Sequence, residues 1–422
     1  MGDFGGPDLI SDLPLSIVES ILIQLPIRDA VRTSILSSKW RYKWNSITRL
    51  VIDEKCVPSC NDRTVVEKSL VKFINQLLFL HQGPIHKFQI TNSYLQSCPE
   101  IDQWVLFLSR NDIKELVLEL GEGEWFRIPS CLFNCKKLTR LELFRCELDP
   151  PLTFKGFMCL KSLILHQVLI SPDAIESLIS CCPLLESLSL SYFDSLALTI
   201  RAPNLRYLYL EGEFRDLCLE DTPLLVDISV AMYMTDDIAE HFEQSSNCNF
   251  FKFLGGVPNL ERLVGHIYFT KYLSIGNDPG QLPLTYSNLE TIELYQVSFE
   301  DMKEILVVLR LITSSPNLKE LQISQGSSNI PTATDAPDLD FWRKECPSDC
   351  TLKKLKLVKL TDMCGVPHEM EFIKYLLGSS PVLETMSIMP CMYVMESQLK
   401  MLIELVKFRR ASAQAEIIFV RD

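Results

Sequence analysis

The sequence predicts an α/β chain laid out in series: a compact helical unit, then a run of strand-bearing repeats forming a parallel sheet, then a closing block of alternating helices and strands. Three observations carry that expectation. Apolar residues recur at helical spacing between Asp12 and Trp44, the phrase Leu-x-x-Leu-x-Leu returns from Ile85 onward, and a helix–strand–helix–strand pattern follows Met370. At 422 residues the chain exceeds one ordinary core, so several domains or one elongated array are expected.

The helical unit opens at Leu13-Pro14. Proline suits a first helical turn, because its φ is already helical and its missing N–H would lack an acceptor there, so a first helix is expected from near Leu13. Leu13, Ile17, Ile21 and Leu25 fall on one stripe of it, while Val18 and Leu22 make a second. Pro26, Arg28 and Asp29 interrupt the pattern; a second short helix carries Val31 and Ile35, and Leu36, Trp40 and Trp44 line a third at four-residue steps. Three such helices lie near the lower size limit for a stable core, so the second stripe and the tryptophans are expected to dock onto another protein.

This segment resembles the F-box. The resemblance rests on Leu13-Pro14, Ile21-Leu22, Leu25, the Arg28-Asp29 turn, and Leu36-Ser37-Ser38-Lys39-Trp40-Arg41 followed by Trp44. Many F-boxes carry Val-Cys-Lys-Trp where Leu36 to Trp40 stands here, a variant similar to that of plants, which leaves the adaptor paralogue open. The resemblance implies docking onto the Skp-type adaptor of an SCF-class cullin-RING ubiquitin ligase and, through it, onto cullin. Its candidate adaptor-binding residues are Leu13, Pro14, Ile17, Ile21, Leu25, Leu36, Trp40 and Trp44. The plain alternative is a small helical cap on the next domain.

The repeated phrase begins at Ile85, Ile113, Leu138, Leu160, Leu185, Leu205, Leu225, Leu260, Leu289, Leu318, Leu352 and Leu383. Its period, about 20 to 35 residues, covers and overshoots the leucine-rich-repeat range. Residues two apart in a strand share a face, so each copy has apolar positions it cannot hide alone; stacking buries them and aligns a parallel sheet on the concave side of a solenoid. Returns between strands include Ser171 to Ser180, which reads as a capped amphipathic helix. Prolines at 183, 203, 223, 258, 316 and 381 precede strands and end those returns.

Strand alternation places Arg140, Glu142, Phe144, Tyr207, Tyr209, Glu211, Thr291, Glu293, Tyr295, Lys354 and Lys356 on the concave side. Arg140, Phe144, Tyr207, Tyr209 and Tyr295 are the candidate substrate-binding residues, since Tyr and Arg give large contact area at low entropic cost. Two insertions break the period: 232–252, with a helix expected around 236–242, and 325–349, polar and expected to be a loop.

The closing block reads as a helix over 370–377, a strand over 383–388, a helix over 395–409 and a strand over 416–420. It resembles the FBD domain of plant proteins in Glu369 to Leu377, Ser380 to Glu384, and Arg409 to Ser412 with Ile417 to Phe419. The whole chain thus resembles plant F-box/FBD/LRR-repeat proteins, with an F-box over 8–54, leucine-rich repeats over 55–340, and an FBD domain over 341–422 capping the solenoid.

Composition narrows the function classes. The formal charge of −13 disfavours nucleic acid as main ligand, since phosphate binding needs a concentrated basic face. Gly6 stands where a myristoylation motif needs Ser or Thr. No basic, apolar leader and no run of about eighteen apolar residues occurs, so a soluble intracellular protein, nuclear or cytoplasmic and free of membrane, is expected. Fifteen cysteines sit mostly in apolar patterns, as expected of free thiols in a reducing compartment. Cys56/Cys60, Cys131/Cys135 and Cys346/Cys350 lack a second pair at zinc spacing, so no metal is expected, and no cofactor. Gly121 to Glu124 lacks the Lys-Ser/Thr of a phosphate loop, and no G-x-S-x-G or HExxH occurs.

What the resemblance implies is a non-enzymatic substrate receptor, its F-box holding the adaptor and its repeats holding an unknown protein target. The rival classes are a repeat scaffold independent of ubiquitin ligase and an enzyme whose site is too dispersed for motif reading.

Overall fold

In the computed structural model, residues 13–56, 62–96, 98–123, 125–233, 249–276, 285–326, 339–346, 351–391 and 395–420 are described. They divide into two compact units meeting between Ser189 and Leu190.

The first unit starts with helices α1 (Leu15–Ile23) and α2 (Ile27–Arg32). Pro14 is the N-cap of α1, and its carbonyl accepts the first N–H groups, from Ile17 and Val18; the helix therefore starts two residues later than the sequence suggests. Val18, Leu22, Ile27 and Ala30 are buried. The third helix expected over Leu36 to Trp44 does not form as an α-helix. Thr33–Ile35 and Lys43–Ser46 are 3-10 turns, and Leu36, Trp40, Lys43, Asn45 and Ile47 each donate to the carbonyl three residues back. At three residues per turn, positions four apart no longer share a face. Trp40 and Trp44 instead turn inward, each only 4% exposed.

From Ile47 the chain runs directly into β1 (Arg49–Ile52), which pairs in parallel with β2 (Lys87–Asn92) in the register Arg49↔Lys87. Ile47-Thr48-Arg49-Leu50-Val51-Ile52 is thus a further copy of the repeated phrase, ahead of the first copy expected at Ile85. Helix α3 (Arg63–Leu80), capped by Asp62, forms the first return, and α4 (Ile101–Ser109) the second. Strand β3 (Glu115–Leu120) follows, then the two-residue β4 (Phe126–Arg127), β5 (Arg140–Phe144), β6 (Cys146–Glu147), β7 (Ser162–His166) and helix α5 (Pro172–Ser180). The sheet order is β1-β2-β3-β5-β7, parallel throughout, while β4 and β6 make a separate parallel pair. Ser171 caps α5 by accepting from the Ala174 N–H, and Pro172 occupies its first turn, as the sequence predicts.

The second unit begins within β8 (Ser187–Arg201) and continues through β9 (Tyr207–Glu220), β10 (Asp227–Met232), α6 (Asn249–Leu254), β11 (Arg262–Gly265), α7 (Phe269–Leu273) and β12 (Thr291–Val297). After these come α8 (Met302–Thr313), β13 (Glu320–Gln325), α9 (Leu339–Glu345), β14 (Leu357–Met363), α10 (Pro367–Ser379), β15 (Thr385–Pro390), α11 (Met395–Lys407) and β16 (Glu416–Phe419). Strands β8 to β16 lie side by side in chain order, and every pair from β9 onward is parallel. The closing block carries the helix–strand–helix–strand order expected of it. Helix α9 is an addition: Trp342 and Glu345, three apart, are buried within a stretch expected to be loop. The helix expected over 236–242 lies outside the described residues.

One contact recurs at most steps within each unit. The carbonyl just before a strand accepts two N–H groups from the next repeat: Thr48 from His86 and Lys87, Lys114 from Thr139 and Arg140, Glu290 from Lys319 and Glu320. It also corrects a register. Lys319 accepts from Lys356 and Leu357, and Leu321 pairs with Val358, so the copy assigned from Leu352 runs from Leu355. Lys354 and Lys356 consequently precede strand β14, and Lys359 occupies the outward position on it. Entry prolines sit second in four-residue turns, where fixed φ is favourable: Leu185, Leu205, Leu225, Leu318 and Leu383 each donate to the residue preceding the proline. Those leucines are all buried, each contributing about 1.5–3 kcal/mol.

Candidate functional site

Two surfaces carry the candidate residues read from the sequence. The first is on α1. Ile17, Ile21 and Leu25, at four-residue spacing on one stripe, are 46%, 41% and 38% exposed, while Val18 and Leu22 face inward. The stripe facing outward is therefore the one containing Leu13, itself half-buried, and not the pair expected to dock. Pro14 is exposed at the helix start. Ile35 and Leu36 are more exposed still, at 86% and 69%; Ile35, expected as an apolar position of the second short helix, is not among the adaptor-binding candidates read from the sequence. Trp40 and Trp44 supply no outward area and form the floor beneath, with Lys43 Nζ 5.3 Å from the Trp40 ring centre. Thr48 donates to Glu19 at 3.1 Å, Gln82 N–H donates to Asn45 O at 2.6 Å, and the His81 ring nitrogen lies 2.8 Å from Ile47 O. These bonds fasten α1 and the following turns to the first strands.

The second surface is the outward row of the strands in each unit. In the first unit Lys87 pairs with Glu115 at 3.5 Å, and exposed Arg140 is held by Glu142 on its own strand. Phe144 is half-buried, 5.4 Å from the His166 ring, and lines a cavity of about 420 Å³ with Thr91, Glu119 and Arg145. In the second unit Tyr207 is 53% exposed. Tyr209 donates to Glu211 at 2.8 Å; burial and that carboxylate push its hydroxyl up to about 12. Tyr233, just past β10, donates to the other Glu211 oxygen at 2.6 Å, and this bond, then burial, raises its hydroxyl as well. Tyr295 donates to Glu293, accepts from Gln322, and stacks on His266 at 4.9 Å with ring planes 7° apart. Burial lowers the His266 imidazole, so it is neutral near pH 7. Glu293 and Asp227 both bind Arg262, at 2.8 and 3.5 Å.

Tyr209 and Tyr295 are thus fixed by carboxylates instead of merely covering strands. Glu211 was placed on this face by alternation, but the link to Tyr233, 22 residues on, was not legible, because Tyr233 lies beyond the end of its strand. Cys131 and Cys135 are free thiols; Cys60 and Cys350 lie outside the described residues. Among the described residues no group of three or more His, Cys, Asp and Glu is placed to hold a metal, and no helix is long and apolar enough to cross a membrane.

Known proteins decide the family. An F-box domain model matches residues 10–51, the LRR repeats of an FBD-associated F-box protein match 101–323, and an FBD model matches 343–388. An F-box/FBD/LRR-repeat protein of Arabidopsis thaliana is 62% identical over 99% of this chain and 99% of its own length. The chain belongs to the F-box/FBD/LRR-repeat family. A second member from the same plant is 25% identical over 98% of this chain and 96% of its own, and an FBD-associated F-box protein is 27% identical over 98% and 100%. The exposed row of α1 therefore lies in the F-box, and β14, α10 and the start of β15 lie in the FBD match.

Proposed function

We propose that this chain is the substrate-recognition subunit of an SCF-type cullin-RING ubiquitin ligase. Its F-box binds a Skp-type adaptor and through it cullin, its strand face binds a protein target, and ubiquitin transfer takes place on other subunits. The observation that carries the reading is the outward row Ile17, Ile21 and Leu25, with Ile35 and Leu36, inside a segment that matches the F-box. Five aliphatic side chains left in water on so short a stretch are a protein-docking feature.

Adaptor docking is tested by co-purifying the full chain with a Skp-type adaptor. Ile21→Asp combined with Leu36→Asp is expected to abolish capture while leaving the melting temperature near that of the unmodified chain, because both residues are exposed. Capture at the unmodified level would remove the docking role of these residues, and no capture by the unmodified chain would leave the repeat scaffold as the reading.

A further inference from the structure

Resting on the receptor reading, the charge and aromatic content of the second unit's sheet face define what class of side chain it receives. Glu211 is the centre. Each of its carboxylate oxygens accepts one phenol, from Tyr209 and Tyr233, although a carboxylate offers about four acceptor positions. Tyr192 joins them, its ring 6.4 Å from that of Tyr233 and 47% exposed. The Tyr192 backbone sits at φ +59°, a left-handed conformation costly for an aromatic residue. Gly212, at φ +149°, follows Glu211, and its carbonyl accepts the Tyr233 N–H at 2.8 Å, which draws that ring over the carboxylate.

The charge balance around this group is negative. Asp227 and Glu293 share one guanidinium, Arg262, and among the described residues no ion pair reaches Glu211. His266, stacked on Tyr295, is neutral. Lys359 lies in register two strands beyond Glu293, through Gln322. Glu211 thus keeps a negative charge that no cation among the described residues offsets, beside the rings of Tyr209 and Tyr233. Aromatic faces attract cations within about 6 Å of their centres, and guanidinium or ammonium donors complete a carboxylate's acceptor positions.

We propose that the Tyr192–Tyr209–Tyr233 cluster around Glu211 receives a Lys or Arg side chain presented by a basic segment of the target protein. The rings provide the face, Glu211 the counter-charge, and the surplus negative charge steers basic segments toward the sheet. An acidic segment would meet the Glu211 carboxylate without compensation.

The test is selection of a random dodecapeptide phage library on the full chain, followed by binding of the enriched peptides in fluorescence polarisation. Enriched peptides are expected to share one Lys or Arg position. Replacing that residue by norleucine or citrulline, or the protein's Glu211 by Gln (Glu211→Gln), is expected to weaken binding by about tenfold or more. Tyr192→Leu, which leaves Glu211 and its two phenols in place, is expected to weaken the same peptides and guards against a folding effect of the first variant. Enrichment of acidic or uncharged peptides, or equal binding by Glu211→Gln and Tyr192→Leu, overturns the cation site. Adaptor capture by the same preparations separates that outcome from failure of the receptor reading, since these variants lie outside the F-box.

Discussion

Trp40 and Ile21 are both large apolar side chains of the F-box, and their opposite exposures assign them different work. Trp40→Ala removes a buried ring and is expected to cost about 3–5 kcal/mol, whereas Ile21→Asp is expected to change stability by no more than about 0.5 kcal/mol. Urea denaturation of the two variants checks this; equal losses would contradict the burial of the tryptophan. Glu369 makes a second residue-scale case. It occupies the first turn of α10, fully buried, with one oxygen accepting the Gly365 N–H at 2.6 Å and the other unpartnered among the described residues. Burial raises its carboxyl to about 8 from an ordinary 4.5. The folded chain therefore holds a proton that the unfolded chain releases between those values, so stability falls as pH rises through this window and is unaffected by this group below it. Glu369→Gln is expected to melt higher than the unmodified chain at about pH 8 and to lose that advantage toward about pH 5. A difference independent of pH would refute the assignment.

Each repeat is a turn, a strand and a return, and the local chemistry of each part was readable to a different degree. The cap of α5 is visible in Ser171-Pro172, and Ser171→Ala is expected to destabilise by about 1 kcal/mol in chemical denaturation; no loss would mean that the helix end is held by something else. Gly156 is less visible in the sequence. It sits at φ +100° with a would-be Cβ 1.7 Å from the Cys181 carbonyl oxygen, so Gly156→Ala is expected to lower the melting point more than Ser171→Ala does. The strand phrase itself was legible wherever one register fits. In Leu352-Lys353-Lys354-Leu355-Lys356-Leu357-Val358-Lys359-Leu360 two registers overlap, and only pairing with β13 selects the later one. The tight turns after α2 were illegible for a related reason: Leu36, Trp40 and Trp44 keep a helical interval, yet the backbone bonds tighten to three residues and bury the rings. Tertiary packing decided there, not spacing. The same holds for the Glu211 cluster, whose members come from three separate segments of chain.

At the scale of the molecule, repeats that contact only their neighbours make stability a sum of nearest-neighbour interfaces. The F-box takes part in that sum, because β1 leaves it and becomes the first strand of the sheet. This differs from a freely tethered module: hydrogen bonds of Glu19, Asn45 and Ile47 with Thr48, Gln82 and His81 tie α1 and the turns after it to the chain around β1 and α3. Preorganisation of that kind reduces the entropy lost when a partner binds. In the receptor reading proposed above, the row on α1, with Ile35 and Leu36, is covered by an adaptor. Amide hydrogen exchange of the full chain, with and without a purified Skp-type adaptor, tests it most directly. Added protection is expected to be confined to residues 15–36, with strands β9 to β13 unchanged. Protection that appears on those strands and leaves 15–36 as it was would contradict it.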